Sequence, residues 1–122
     1  MTQVFPALNH DTLRITFEQE SDVFRMNWCG QSEIRTPSEF LTPYLKKIPS
    51  FFANRNLVVD FRKLEYMSSA TAAPVIQFLN LLNTNKVQCT VIYSGRFEWQ
   101  KVSCRCMTVV CKNMKYVKIT ID

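Results

Sequence analysis

Residues 57–74 read LVVDFRKLEYMSSATAAP, and this stretch decides the fold prediction. It opens with consecutive apolar residues that lead into Asp60, as expected of a strand that is covered on both faces in the middle of a sheet. A short polar passage follows, and then Ser68, Ser69 and Thr71 precede apolar residues that recur at helical spacing. The stretch therefore predicts a buried strand, a loop and a helix, with three hydroxyls where the helix begins.

The residues before this stretch predict a hairpin and a first helix. Apolar and polar residues alternate over 13–17 and 24–28, which indicates two antiparallel strands with one buried face, and Gly30 closes the second strand. Residues 36–39, Thr-Pro-Ser-Glu, have the pattern of a capping box with proline at the first helical position. A helix should begin there and end at Pro49.

The residues after this stretch continue the alternation of helices and strands. Pro74 is compatible with a helix if it lies in the first turn. The order β-β-α-β-α-β-α-β predicts an α/β fold with an N-terminal hairpin, alternating helices and a mixed, mostly parallel sheet. We expect one domain over residues 1–122, with residues 1–12 as an N-terminal arm. The later elements are a helix, a strand, a helix and a strand over residues 69–82, 87–93, 99–111 and 116–121.

Composition is that of an ordinary globular protein. The chain has 122 residues, 47% of them apolar and 20% charged, and no apolar run approaches the roughly 20 residues of a membrane span. The N-terminal residues lack the basic and apolar segments of a secretory signal. The sequence therefore predicts a cytoplasmic protein without a transmembrane segment.

Few residues suited to catalysis are present. The single histidine, His10, lies in the predicted arm, and two glycines cannot form a phosphate-binding loop of the Walker or dinucleotide type. The five cysteines include no CxxC pair, so reduced thiols are expected and no metal or redox site is predicted. We predict no catalytic residue, no cofactor and no metal; an enzyme that uses Cys104 or Cys106 is the disfavoured alternative, because no base or acid accompanies either thiol.

Charge leaves several kinds of partner open. The net charge of +5 suits nucleic acid, an anionic membrane or an acidic protein. The basic residues are spread along the chain without an aromatic RNA-binding pattern, which disfavours nucleic acid. Two carboxylates, Asp60 and Glu65, lie near the predicted loop. Asp60 is expected to bond to backbone donors of that loop, and Glu65 to lie on the surface.

The predicted architecture and residues 58–82, VVDFRKLEYMSSATAAPVIQFLNLL, resemble the STAS domain, the module of anti-sigma factor antagonists and of sulfate-transporter tails. The resemblance extends from about residue 13 to residue 121. In that family a buried strand ends in Asp, and an Asp-Ser-Ser-Gly motif opens a helix. Gly30, followed by a helix, matches another recurrent position of the family.

Two registers of this motif are open. Without a gap, Ser68 stands at the family's Asp, Ser69 at its first Ser, Ala70 at its second Ser and Thr71 at its Gly. The second Ser receives the phosphate in typical antagonists, and this chain has alanine there. A shift by one residue places Ser68 and Ser69 on the Ser-Ser pair. The resemblance therefore implies Ser69 as the leading phospho-acceptor, followed by Ser68 and Thr71.

The function that the resemblance implies is binding to another protein. It implies a non-enzymatic regulator that binds a serine kinase or anti-sigma factor-type partner, with a phosphatase as a further partner, in a partner-switching pathway. The alternative is a ligand- or lipid-transport-associated subunit that binds an anionic small molecule or an acidic partner. The predicted docking loop and helix comprise Asp60, Met67, Ser68, Ser69, Ala70 and Thr71.

Self-association is a separate possibility. An exposed sheet edge and several aromatic side chains could support a dimer, although such side chains are more often part of the core. The aromatic residues concerned are Phe51, Phe52, Phe97 and Trp99.

Overall fold

The computed structural model of the protein describes residues 5–33, 35–36 and 39–122. Within these residues, six strands form one sheet in sequence order, and four helices connect them. The strands are β1 (Leu8–His10), β2 (Leu13–Glu20), β3 (Val23–Ser32), β4 (Asn56–Met67), β5 (Gln88–Tyr93) and β6 (Val117–Ile121). The helices are α1 (Leu41–Lys46), α2 (Ile48–Phe51), α3 (Ser69–Thr84) and α4 (Glu98–Val110).

The sheet is mixed, as the sequence predicts. β1, β2 and β3 are antiparallel neighbours, whereas β3, β4, β5 and β6 are parallel neighbours. Parallel neighbours need long connections, and α1 with α2, α3 and α4 provide them. The predicted α/β class and the predicted hairpin of β2 and β3 are confirmed.

One face of the sheet forms the core. Apolar side chains on this face lie directly opposite one another in the register, as in the pairs Ile15 with Trp28 and Met26 with Val59. All four of these side chains are fully buried. Phe52, just after α2, stacks on Phe17 of β2 at 5.5 Å between ring centroids, and α3 and α4 contact β5 and β6. The helices therefore cover this face, while the alternate residues of each strand form the opposite, more polar face.

The first strand is a difference from the sequence prediction. Residues 8–10, expected in an N-terminal arm, pair with β2 as the short antiparallel strand β1. Phe5 packs against Phe17 at 5.2 Å, and Tyr44 Oη donates a hydrogen bond to the carbonyl oxygen of Pro6 at 2.5 Å. Aromatic packing thus holds this segment against the sheet, which a search for alternating residues does not reveal.

Gly30 does not end its strand. β3 continues to Ser32, and Gly30 has a φ of 85°, in a stretch where the register with β4 shifts. The backbone N–H of Gln31 bonds to the carbonyl oxygen of Thr12 at 3.3 Å. Gly30 therefore allows an irregularity within β3.

The first predicted helix is shorter and divided. α1 begins at Leu41 with Phe40 at the N-cap, and Pro49 lies in the first turn of α2 and does not end the helical region. Of the predicted capping box, Pro37 and Ser38 lie outside the described residues. The backbone N–H of Glu39 donates to the carbonyl oxygen of Thr36 at 3.2 Å, before α1 begins.

β4 is longer than predicted and includes residues that the sequence assigns to a loop. The predicted loop after Phe61 is strand up to Met67, because this part of β4 pairs with β3 beyond the last residue that pairs with β5.

α3 begins at Ser69 as predicted, but Pro74 is its sixth residue and not in its first turn. The buried Pro74 ring packs inside the fold, and the backbone loses one i to i−4 hydrogen bond there. None of the described helices has the length and hydropathy of a membrane span.

Candidate functional site

The junction between β4 and α3 is the place where the predicted hydroxyls meet. Ser68 is the N-cap residue of α3 and has an extended backbone, with φ −68° and ψ 156°. Its N–H donates to the carbonyl oxygen of Ser32 at 2.8 Å, and its own carbonyl oxygen accepts from Thr71 N at 3.0 Å. The end of β3, the end of β4 and the first turn of α3 are therefore fixed to one another.

A chain of hydroxyls lies inside this junction. Thr71 Oγ1 lies 2.7 Å from Ser32 Oγ and 3.0 Å from Ser68 Oγ. Thr71 and Ser32 are both fully buried, and Ser68 is partly buried. Because its hydroxyl faces the interior and has two partners, Thr71 holds the junction together and is poorly placed to meet a kinase in the folded domain.

Ser69 differs from these residues in its exposure. It is the first residue of α3 and is exposed, whereas Ala70 beside it is partly buried. The first amides of a helix point outward without intrahelical partners, and the helix dipole makes this end favourable for negative charge. Ser69 therefore presents its hydroxyl at an end of α3 that would tolerate a phosphate.

Two depressions adjoin the junction. One is polar and lies beside Ser69, with Glu33, Arg35 and Tyr66 on its walls. The other is an apolar groove of about 390 Å³ between α3 and α4. Ser68 and Ser69 line both, so the start of α3 is the ridge between a polar and an apolar surface. The side chains that line the apolar groove include Ala72 and Ile76 from α3 and Trp99, Val102, Cys106 and Val110 from α4.

Asp60, predicted to belong to the docking loop, lies in the middle of β4. Its Oδ2 accepts from Arg25 Nη1 at 2.8 Å and from Arg62 Nη2 at 2.9 Å. Its Oδ1 accepts from the backbone N of Arg62 at 3.0 Å, so the expected bond to a backbone donor is present, but the donor lies within β4 and not in a loop. Arg62 also pairs with Asp122 at 3.0 Å. Asp60 thus joins β3, β4 and the C-terminal end of the chain, and it lines neither depression.

The charge state of Asp60 follows from these contacts. Burial by itself would raise the pKa of Asp60, but the hydrogen bonds from Arg62 and the positive charges of Arg62 and Arg25 together outweigh burial and lower this pKa. The same contacts raise the pKa of Arg62. Asp60 is therefore ionised at neutral pH and suited to structural pairing, not to proton transfer.

The histidine and the cysteines lie in different parts of the fold. His10 lies on β1, where its ring stacks on Phe40 at 3.7 Å, so it is not part of a free arm. Burial raises the pKa of Cys89 and of Cys111. Cys106 is exposed in the apolar groove. Among the described residues, no group of three His, Cys, Asp or Glu side chains could hold a metal ion.

Several features of the site were not predicted from the sequence. Arg35 meets the start of α3 only through the fold, and nothing in its sequence neighbourhood signals this. The apolar groove could have been noticed, since Trp99, Val102, Cys106 and Val110 recur at intervals of three and four along α4. A second set of α4 residues, which includes Cys104 and Met107, forms the buried face. Because both sets recur at helical spacing, the sequence does not show which one faces the core.

Comparisons with known proteins identify the fold. No protein-family model matches the chain, and no curated protein matches it. An anti-sigma factor antagonist from Mycobacterium paratuberculosis aligns with a TM-score of 0.62 and 15% identity, over 88% of this chain and 86% of that one. The activator SiaC, in complex with the diguanylate cyclase SiaD of Pseudomonas aeruginosa, aligns with a TM-score of 0.67 and 16% identity, over 96% and 99%.

A third structure has the same architecture. It is an uncharacterised protein of the DUF3478 family from Shewanella loihica, described as having a SpoIIAA-like fold, with a TM-score of 0.58 and 17% identity over 94% of this chain and 89% of that one. At these identities the similarity concerns the fold. The fold predicted from the sequence is confirmed.

Proposed function

We propose that this protein, which has the STAS fold, is a non-enzymatic regulator that binds a protein partner at the start of α3. The partner is of the serine kinase or anti-sigma factor type, and a phosphate on Ser69 controls binding. The structures with similar folds include an anti-sigma factor antagonist and an activator held in a complex with its cyclase, and both support a role in binding proteins.

The exposure of Ser69 is the observation on which this proposal rests. Thr71 is fully buried and bonded to Ser32, and Ser68 is partly buried, while Ser69 is exposed at the first helical position. Of the three hydroxyls, the one at position 69 is thus best placed for a kinase. Ala70, at the acceptor position in the ungapped register, has no hydroxyl, so a phosphate on Ser69 requires the shifted register.

A phosphate on Ser69 would change the surface more than the fold. It adds about two negative charges beside the first amides of α3 and next to the depression that Glu33 and Arg35 line. The helix end and Arg35 favour the anion, whereas Glu33 opposes it. These residues lie at the surface, so the domain should stay folded. A partner that docks on the uncharged start of α3 would meet these charges directly and would be repelled.

Affinity capture from the native host tests this function. The tagged protein should retain a kinase or anti-sigma factor-type regulator, and intact-mass analysis after treatment with that kinase should show one added phosphate, mapped to Ser69. Ser69→Ala should keep the partner and lose the phosphate, and Ser69→Asp should lose the partner. Ser50→Asp is the matched control, since Ser50 is exposed on α2, away from the junction.

The outcomes separate the two parts of the proposal. A captured regulator without any phosphate would leave the docking role and remove the switch. Recovery of no regulator of this type, or equal recovery with Ser69→Asp and Ser50→Asp, would contradict docking at the start of α3.

The apolar groove gives a reason to test the alternative function in parallel. Its volume of about 390 Å³ lies within the range of small-molecule sites, roughly 300–1,000 Å³. A ligand- or lipid-binding subunit should copurify with a small molecule, or its melting temperature should rise with nucleotides or lipids. A regulator that acts through protein partners alone should show neither effect.

A further inference from the structure

The outer surface formed by α3 and α4 is unusual for a helical surface that faces water. α3, SATAAPVIQFLNLLNT, contains no charged residue over its 16 positions. On α4, Val102, Val109 and Val110 are 45%, 73% and 43% exposed. β-branched residues are not favoured on exposed helical positions, where helices of soluble proteins usually have charged or polar side chains. This surface therefore has the composition of an interface.

The apolar residues of this surface follow one line. Trp99, Val102, Cys106 and Val110 are separated by three, four and four positions, so they lie on one side of α4. Facing them across the groove are Ala72 and Ile76 of α3, four positions apart. The small side chain of Ala72 leaves room between the two helices. A third helix with apolar residues at every third or fourth position fits such a groove along its length.

Basic residues lie beside the exposed valines of α4, outside the lining of the groove. Lys101 and Arg105 are four positions apart on α4, and Lys112 follows just after Cys111, the C-cap residue of this helix. Glu98 lines the groove, and its charge is offset by an ion pair with Lys101 at 3.5 Å. Among the described residues, Arg105 and Lys112 form no ion pair. Both side chains are exposed and able to meet carboxylates of a docked molecule.

Charge also decides between a second copy and a different partner. Two copies of this surface would bring the same basic residues together, in a chain whose net charge is already +5. Like charges across an interface are costly, whereas opposite charges favour encounter and fix the register. A membrane is also a poor fit, because the basic residues lie on the α4 side only and α3 has no charged residue.

We propose that the groove between α3 and α4 binds an amphipathic helix of the partner, with apolar residues at every third or fourth position and acidic residues along the edge that meets Arg105 and Lys112. The inference rests on the proposed function, since it names the chemistry of the partner that docks beside Ser69. Ser69 lines the groove at one end, so a phosphate there would lie next to the acidic helix and would weaken its binding.

Two fluorescent helical peptides test this inference, each of roughly 15 residues because shorter isolated helices are marginal in water. Both have leucine at the same positions; one has glutamate and the other lysine beside the leucines. Fluorescence anisotropy should show the glutamate peptide binding at least about tenfold more tightly at low salt, with the preference shrinking as salt rises. Arg105→Glu with Lys112→Glu should reverse the preference.

Substitution in the groove supplies the second arm. Val102→Asp should weaken the glutamate peptide about tenfold or more, because it places an unpaired charge in the apolar contact. Ile121→Asp is the matched control. Ile121 on β6 is 47% exposed, a fraction similar to the 45% of Val102, and it does not line the groove. Circular dichroism should show that both variants are folded.

Several results would overturn the inference. These are binding of neither peptide, equal binding of both, or equal effects of Val102→Asp and Ile121→Asp. A dimer in sedimentation that Val102→Asp dissociates would assign the groove to a second copy, and binding to phosphatidylglycerol vesicles that Val102→Asp abolishes would assign it to a membrane. Peptide binding without capture of a kinase-type regulator would refute the proposed function alone, whereas capture that Val102→Asp leaves intact would refute this inference alone.

Discussion

Thr71 Oγ1 lies 2.7 Å from Ser32 Oγ, and both side chains are fully buried. This contact joins the end of β3 to the first turn of α3, next to the junction between β4 and α3. Thr71 also contacts Ser68 Oγ at 3.0 Å. The position of the exposed residue Ser69 thus depends on the buried hydrogen bond between Thr71 and Ser32.

Removal of the Thr71 hydroxyl should destabilise the domain. Thr71→Val keeps the shape of the side chain but leaves the buried Ser32 hydroxyl without this partner, at a cost of about 1–3 kcal/mol in the free energy of unfolding. Urea denaturation measures the change. Thr84→Val, near the end of the same helix, is the control, because Thr84 is exposed and its hydroxyl donates to the carbonyl oxygen of Asn80. Equal losses in the two variants would contradict a special role for Thr71.

Asp60 should make stability depend on pH under acidic conditions. Because the pKa of Asp60 is lowered in the folded protein, the unfolded chain binds a proton more readily. The contribution of Asp60 is therefore complete above the pKa of an unfolded aspartate, about 4, and is lost as the pH falls through the lower folded-state value. Asp60→Asn should lower stability at pH 7 by about 1.5–3 kcal/mol and flatten this acid dependence.

The control for Asp60 is Asp22→Asn, at an exposed position in the turn between β2 and β3. Its urea midpoint should follow that of the unmodified protein between pH 7 and pH 3. An Asp60→Asn variant with an unchanged acid dependence would show that the two arginines do not stabilise the folded state through this carboxylate.

Gly30 should tolerate no side chain. Its φ of 85° strains any L-residue, and a Cβ there would collide with the carbonyl oxygen of Thr12. Gly30→Ala should therefore cost about 1–3 kcal/mol from the backbone conformation, with the collision adding to it. Gly95→Ala is the matched control, since its Cβ would stand 3.3 Å from the carbonyl oxygen of Asp122. Thermal unfolding that ranks Gly95→Ala as the more damaging change would contradict this account.

Gln100 should be the most sensitive polar residue of α4. Its side chain is fully buried and donates to the carbonyl oxygens of Phe61 and Leu64 at 2.8 and 2.9 Å, and it accepts from Ser94 N at 2.6 Å. Gln100→Leu removes the side-chain partner of these backbone groups, at a cost of about 1–3 kcal/mol for each group left unsatisfied.

Gln77→Leu on α3, at an exposed position, should have little effect by comparison. Native-state hydrogen exchange should show faster exchange in β4 for Gln100→Leu only. Unchanged exchange there would mean that water replaces the lost contacts.

The elements with a regular pattern were predictable from the sequence. β2, β3, β5, α3 and α4 each have a periodic apolar face, and they occur where that periodicity places them. The second half of β4 was not predictable, because Arg62, Lys63 and Glu65 have the composition of a loop. Only the tertiary pairing with β3, and the bonds from Gln100 to this segment, make it a strand.

The same distinction applies to the candidate site. The hydroxyls at the start of α3 were predicted in sequence, but their different roles depend on exposure, which periodicity does not give for a cluster of small polar residues. The apolar run that leads into Asp60 predicts a place for it in the docking set, whereas in the fold Asp60 pairs with Arg25 of a neighbouring strand. Both differences arise from contacts between segments that are distant in the sequence.

Hydrogen exchange of the captured complex tests the central claim most directly. The account predicts that partner binding slows exchange in residues 68–76 and 98–110, the start of α3 and the length of α4, and that Ser69→Asp abolishes this protection. Protection confined to β6 or to the polar face around Asp60, with residues 68–76 unchanged, would contradict it.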